Sequence, residues 1–175
     1  ERFGAELVAD DIVEVDLTSD PKVLKTATDT YTARSVVLAM GSGYRKLGLP
    51  NEEALSGRGV SWCATCDGFF FKEQHIAVVG GGDSAIEEAN FLSKFAETVT
   101  IVHRREELRA SKIMQDRARA NPKIRFLWNT VVREVVGADG KVAGLDVEDV
   151  RSGERSRLEV TGLFVAIGHQ PNTDL

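Results

Sequence analysis

The sequence predicts an α/β protein: a Rossmann-like three-layer nucleotide-binding domain with a β-meander insertion, plus a partial second copy of the same fold. Three observations carry this. A strand, a glycine turn and a helix follow one another from Ile76 to Ala96. Two separate stretches each offer three short strands and then an apolar run ending in Ala-x-Gly, at Gly41 and at Gly168. A lone Cys-x-x-Cys pair lies just ahead of the glycine turn.

Taken in order, Asp11–Leu17 alternates apolar and polar residues, the pattern of a half-buried strand. Val23–Ala27 and Asp29–Thr32 read as two further short strands, parted by turn-prone polar residues. Val36–Gly41 is a continuous apolar run ending in glycine, which predicts a buried strand. Pro50-Asn51-Glu52-Glu53 and Ser56-Gly57-Arg58-Gly59 then make a polar connector. Beyond it Ile76–Val79 is a strand and Asp83–Ala96 a helix, with Ala85, Ala89, Leu92 and Ala96 as one apolar stripe. Thr98–Val102 is the next strand. Val131–Val136 and Val142–Val147 flank an Asp139-Gly140 hairpin turn, Arg157–Val160 is a third strand, and Leu163–Gly168 repeats the buried run. The repeat divides the chain into residues 1–56, a partial copy with a meander and a final strand, and residues 57–168, a complete domain. Residues 169–175 would start a return crossing to the first.

Gly80-x-Gly82-x-x-Ala85 is the G-x-G-x-x-G/A pattern of dinucleotide-binding turns. The glycines permit a tight turn and close backbone approach to a pyrophosphate. Ala85 is small enough for the helix to pack on the sheet, and the helix N-terminus offers N–H donors. A plain strand-to-helix turn is the competing reading. Roughly 20 residues further on, NAD-binding proteins place an acid on the ribose. This chain has His103-Arg104-Arg105 there, with Arg109 a turn later. Guanidinium groups bind a 2′-phosphate through charge-assisted hydrogen bonds, so the pattern favours NADPH over NADH. Glu106 and Glu107 keep open the alternative of a solvated surface run.

Cys63 and Cys66 are the only cysteines among 175 residues. No histidine stands at a zinc-like spacing from them, so no metal site is expected. Asp67, directly after the pair, is an acid placed for proton exchange with a thiolate, whereas buried structural thiols would be the bland alternative. One Cys-x-x-Cys with none to spare fits a reducing compartment and a cytoplasmic protein. Net charge is −5, with 42% hydrophobic residues and no apolar run near the length of a membrane span. Neither nucleic acid nor a membrane is an expected partner.

Trp62-Cys-Ala-Thr-Cys-Asp-Gly-Phe-Phe-Phe71, Val78-Val-Gly-Gly-Gly-Asp-Ser-Ala85, His103-Arg-Arg105 and Gly168-His-Gln-Pro-Asn-Thr173 stand in this order along the chain. Together they resemble low-molecular-weight, bacterial-type thioredoxin reductase. The resemblance implies a flavoprotein disulfide oxidoreductase that passes electrons from NADPH through FAD to the Cys63–Cys66 disulfide, and on to thioredoxin. It implies Asp67 as the acid–base group, with Gly80, Gly82, Asp83, Ser84 and Ala85 around the phosphates and ribose. His103, Arg104, Arg105 and Arg109 would surround the 2′-phosphate, and Ile167 and Gly168 would line the nucleotide. Residues 1–56 become part of a split FAD domain whose remaining flavin segments would lie before Glu1 and after Leu175. The chain alone is then expected to be inactive, and the full-length protein a homodimer. Two rivals share these features: the flavoprotein arm of an alkyl hydroperoxide reductase system, which uses NADH, and a non-catalytic NADPH-binding or redox-sensing module.

Overall fold

The computed structural model describes residues 2–174, so Glu1 and Leu175, the outer ends of the sequence-based segments, lie outside the described residues. The chain forms two units: Glu1–Ser42 with Pro171–Leu175, and Gly43–Gln170.

In the first unit, β1 (Glu14–Asp16), β2 (Lys22–Lys25) and β3 (Thr30–Ala33) pair antiparallel in consecutive order. Val15 lies opposite Leu24 and Leu24 opposite Tyr31, so the expected meander is present with shorter strands. The buried strand expected at Val36–Gly41 is not there. No strand runs through those residues, and Val37 is 91% exposed. A continuous apolar run becomes a buried strand only when neighbours pair with it on both edges. Among the described residues none does, and pairing begins only at β4 (Ser42–Tyr44).

The second unit contains β5 (Val60–Ser61), α1 (Ala64–Asp67), β6 (His75–Val79), α2 (Asp83–Leu92), β7 (Thr98–Val102), α3 (Lys112–Ala120) and β8 (Ile124–Leu127). The meander β9 (Thr130–Ala138), β10 (Lys141–Asp149) and β11 (Arg155–Leu158) follows, then β12 (Gly162–Val165) and the start of β13 (His169–Pro171), whose last residue is counted with the first unit. A five-stranded sheet runs in the order β5-β12-β6-β7-β8, every pairing parallel.

Strand periodicity sorts the core into two faces. Ile76, Val78, Ile101 and Phe164 face Ala85, Ile86, Ala89 and Leu92 of α2. Ala77, Val102, Leu163 and Val165 face Val135, Leu145 and Val147 of the meander. Helices, sheet and meander are the three layers expected. The hairpin turn falls at Asp139 and Gly140, both with positive φ (50° and 73°) as a two-residue turn requires. The elements β4, β5, α1, α3, β8 and β13 have no counterpart in the sequence reading, while α2 ends at Leu92 rather than Ala96.

The connector at 47–55 lies in the second compact unit, which begins at Gly43. Its anchor is Glu52, 1% exposed. The Glu52 carboxylate accepts the backbone N–H groups of Leu47, Gly48 and Leu49 at 2.9, 2.7 and 3.1 Å. Asn51 Nδ2 donates to the Val135 carbonyl at 3.0 Å, and Leu55 packs into the meander-side core. Glu52→Ala would leave three donors unpaired, a cost of about 3 kcal/mol. Thermal denaturation should show the melting temperature falling by about 6–12 °C; an unchanged value would mean that these contacts do not hold the connector.

Candidate active site

The dithiol sits on the short helix α1. Cys63 occupies its N-cap and Cys66 its last turn, and the two form a disulfide with Cα atoms 5.3 Å apart. A four-residue helix has little stability of its own, so burial on either side of the cysteines holds it. Ala64 and Phe71 lie in the core, and Phe71 packs edge-on against Phe164 at 5.1 Å. Gly68 lies directly over α2, where an added Cβ would stand 3.0 Å from Leu92 Cδ2. With its underside fixed in this way, the turn leaves Cys66 exposed and Cys63 half-buried.

Asp67 is half-buried and accepts a 2.7 Å hydrogen bond from the Ser61 hydroxyl. The same Ser61 oxygen accepts the backbone N–H of Cys63 at 3.0 Å. Ser61 therefore ties the acid to the first cysteine. Nothing in the sequence announces it, since a serine six residues before an aspartate carries no motif.

The glycine turn joins β6 to α2, with Gly82 at the helix N-cap. At Gly80 (φ 156°) a Cβ would stand 2.4 Å from the Ala166 carbonyl oxygen and 2.6 Å from Ala85 Cβ. At Gly82 it would meet nothing within 4 Å, so this glycine borders open space. Gly81, which the motif leaves free, proves the most constrained: a Cβ there would stand 2.2 Å from the His103 ring. The Gly81 carbonyl accepts the N–H groups of Arg109 and Ala110 at 2.7 and 3.0 Å. Asp83 Oδ1 accepts both the N–H and the hydroxyl of Ser111, at 2.7 and 2.8 Å. The loop carrying the arginines is thereby clamped onto the turn.

His103 is buried, and its Nε2–H donates to the Glu107 carbonyl at 3.0 Å. Burial holds its pKa below the ordinary 6.5, and the neighbouring Arg105 and Arg104 charges act the same way. It is a neutral prop beneath the turn. Arg104, Arg105 and Arg109 are exposed and line one cavity of about 730 Å³ together with Gly80, Gly82, Asp83, Ser84 and Ala85. Ile167 and Gly168, read from the sequence as the end of a buried strand, instead leave the sheet after Val165 and line this cavity too. One helix serves both halves of the site: α2 begins at the glycine turn and carries Leu92, the support of the dithiol, at its far end. Its ten residues span about 15 Å.

A family model described as pyridine nucleotide-disulphide oxidoreductase matches residues 3–175. The chain belongs to the pyridine nucleotide-disulphide oxidoreductase family. A thioredoxin reductase of Streptomyces coelicolor is 64% identical over 179 residues, covering 100% of this chain and 54% of that protein. One from Streptomyces clavuligerus is 61% identical with the same coverage. Among solved structures, Lactococcus lactis thioredoxin reductase matches with a TM-score of 0.83 and 41% identity, over 93% of this chain and 54% of that one. The chain thus spans about half the length of the relatives it matches, and the resemblance read from its motifs is borne out.

This pyridine nucleotide-disulphide oxidoreductase chain also carries a partly buried acid on α2 with no motif to announce it. Glu88 lies half-buried on α2, and its Oε2 has no hydrogen-bond partner among the described residues. Burial, reinforced by the Glu87 charge, pushes its pKa up from 4.5 to about 7. The folded form therefore holds this proton more tightly than the unfolded chain. That contribution to stability is fully present below 4.5 and is lost as the pH rises through about 7. Glu88→Gln should raise stability at pH 8 by about 1 kcal/mol, partial exposure discounting the larger value a full shift implies. At pH 4 it should change nothing. Equal melting-temperature shifts at the two pH values would refute the assignment.

Proposed function

We propose that this chain is the NADPH- and dithiol-carrying part of a thioredoxin-disulfide reductase, a flavoprotein that reduces thioredoxin in the cytoplasm as a homodimer. The observation that carries the reading is the arrangement around α2: a partly exposed Cys63–Cys66 disulfide at one end and a cationic dinucleotide cavity at the other.

The residues present fit a dinucleotide phosphate. Gly80 and Gly81 leave no room for side chains and Gly82 borders open space, so backbone amides at the start of α2 can approach a pyrophosphate. Ser84, Ala85, Ile167 and Gly168 would wall the nucleotide. Arg104, Arg105 and Arg109 would take the 2′-phosphate, with His103 supporting the turn from below and Asp83 holding the arginine loop through Ser111. Residues 1–56 and 169–175 are assigned to the FAD domain by the resemblance and by the first meander. When bound, FAD supplies a group that accepts hydride and passes an electron pair to a disulfide.

Two electrons break the Cys63–Cys66 bond and leave two sulfur atoms that between them need two protons. Asp67, held by Ser61 beside the N-cap of the same helix, is placed to deliver one and later to recover it. Transfer of both electrons to a thioredoxin disulfide re-forms the Cys63–Cys66 bond. The net reaction is NADPH, a proton and oxidised thioredoxin giving NADP⁺ and dithiol thioredoxin.

Asp67→Asn in the whole protein should slow thioredoxin reduction by about 100-fold and leave NADPH affinity nearly unchanged. Rapid-reaction kinetics would measure it, and a full-rate variant would remove Asp67 from the mechanism. Thiol counting should find two alkylatable cysteines after reduction and none after mild oxidation. Each charged hydrogen bond lost is worth about 1.5–3 kcal/mol, with exposure favouring the low end. Arg104→Ala/Arg105→Ala should therefore weaken NADPH binding by about 100-fold while sparing NADH. Undiminished discrimination between the two would return the arginines to the role of solvated surface charge.

A further inference from the structure

We propose that Arg151, on the turn between β10 and β11, is a fourth guanidinium of the 2′-phosphate site, and that Glu106 holds it there. The proposal rests on the NADPH reading above and extends it to a residue far along the chain.

Arg104, Arg105 and Arg109 wall not only the cavity proposed for the nucleotide but a second, adjoining one of about 450 Å³, lined also by Asn129 and Arg151. The β10–β11 turn is fastened to the arginine loop through the backbone. Asn129, with φ 50°, donates its N–H to the Arg105 carbonyl at 3.2 Å and accepts that of Val150 at 2.7 Å. The turn itself is shaped by Asp149, whose Oδ1 accepts the N–H groups of Arg151 and Ser152 at 2.7 and 2.9 Å. Arg151 is thus presented from a defined backbone, and its guanidinium pairs with Glu106.

The charge arrangement gives this pair its meaning. Glu106 is a carboxylate on the wall of the adjoining cavity, beside the three arginines assigned to a phosphate, where alone it would repel the ligand. As an exposed ion pair it adds little to stability. Its effect is to cancel the Glu106 charge and to fix Arg151 across from three other guanidiniums. Arginine has five N–H donors and one carboxylate engages at most two, which leaves donors free for a phosphate oxygen.

Calorimetric titration of the chain with adenosine 2′,5′-bisphosphate and with AMP, which differ only by the 2′-phosphate, tests this. Arg151→Ala should weaken the bisphosphate by about tenfold, equivalent to about 1.4 kcal/mol, and leave AMP within about twofold. Adding Glu106→Gln to that variant should recover part of the loss, because the uncancelled carboxylate is gone. Equal weakening of both nucleotides would show a merely structural role for the turn, and unchanged binding of both would show none; either overturns the proposal. So would displacement of the bisphosphate by an equal concentration of inorganic phosphate, which marks a site for any anion. Arg104→Ala/Arg105→Ala, titrated alongside, separates the two levels. If it lowers the preference and Arg151→Ala does not, only this proposal fails; if it does not lower it, the NADPH reading fails and takes the proposal with it.

Discussion

The cavity proposed for the nucleotide depends on the close packing of the Gly80–Gly81 backbone against the Ala166 carbonyl and the His103 ring. Neither glycine has room for a Cβ. That contact lets the Gly81 carbonyl reach the Arg109 and Ala110 amides, and so brings a loop from the end of β7 back over a turn at the end of β6. The loop gathers three guanidiniums that repel one another. The clamp on Gly81, the Asp83–Ser111 bonds and the neutral His103 beneath it oppose that repulsion. A charged imidazole in the same place would add to it. Glycine turn and arginine cluster, 20-odd residues apart in sequence, are held together by these contacts.

The same economy of backbone governs the dithiol. Short helices do not persist in water without tertiary support, yet this one leaves its disulfide partly exposed. The structure resolves the conflict by burying Ala64, Gly68 and Phe71 on either side of the cysteines and keeping Cys66 outward. Because Gly68 lies on Leu92, the support of the dithiol is also the far end of the helix that opens at the nucleotide turn. Two reactive regions share one element, so each constrains where the other can stand.

Much of this was legible in the chain because local chemistry and tertiary context agree. Ile76–Val79, Thr98–Val102 and the Asp139-Gly140 hairpin carry strong short-range signals, and the structure places elements there. The Val36–Gly41 run carried an equally strong strand signal and forms none, since a buried strand is made by its neighbours rather than by its own residues. Lys112–Ala120 escaped notice because its exposed, charged face leaves only Ala118 buried, so no apolar stripe announces the helix. Within the site, the motif supplied Gly80 and Gly82, whose spacing is diagnostic. It was silent on Gly81, Ser61 and the Asp83–Ser111 bond, which are contacts between segments distant or unrelated in sequence. His103 shows the same limit. Its place in a basic run suggested a phosphate ligand, whereas its surroundings make it a buried prop.

The charge distribution then determines at what range the proposed site would recognise an anionic nucleotide. The chain as a whole carries −5, which does nothing to draw a phosphate from a distance. Within the cavity, Arg133 is held from behind by Glu148 at 2.7 Å, and Glu148 also accepts from Arg155 at 3.1 Å. Arg104, Arg105 and Arg109 form no ion pair among the described residues. Paired arginines are thereby positioned but largely cancelled, and the unpaired ones supply the field. At physiological salt that field decays over about 8 Å, less than the length of the cavity's own helix. On the NADPH reading proposed above, discrimination for a 2′-phosphate would therefore arise at contact, from guanidinium geometry, and not from long-range steering. That is why the clamp on the arginine loop matters more to this site than the number of its charges.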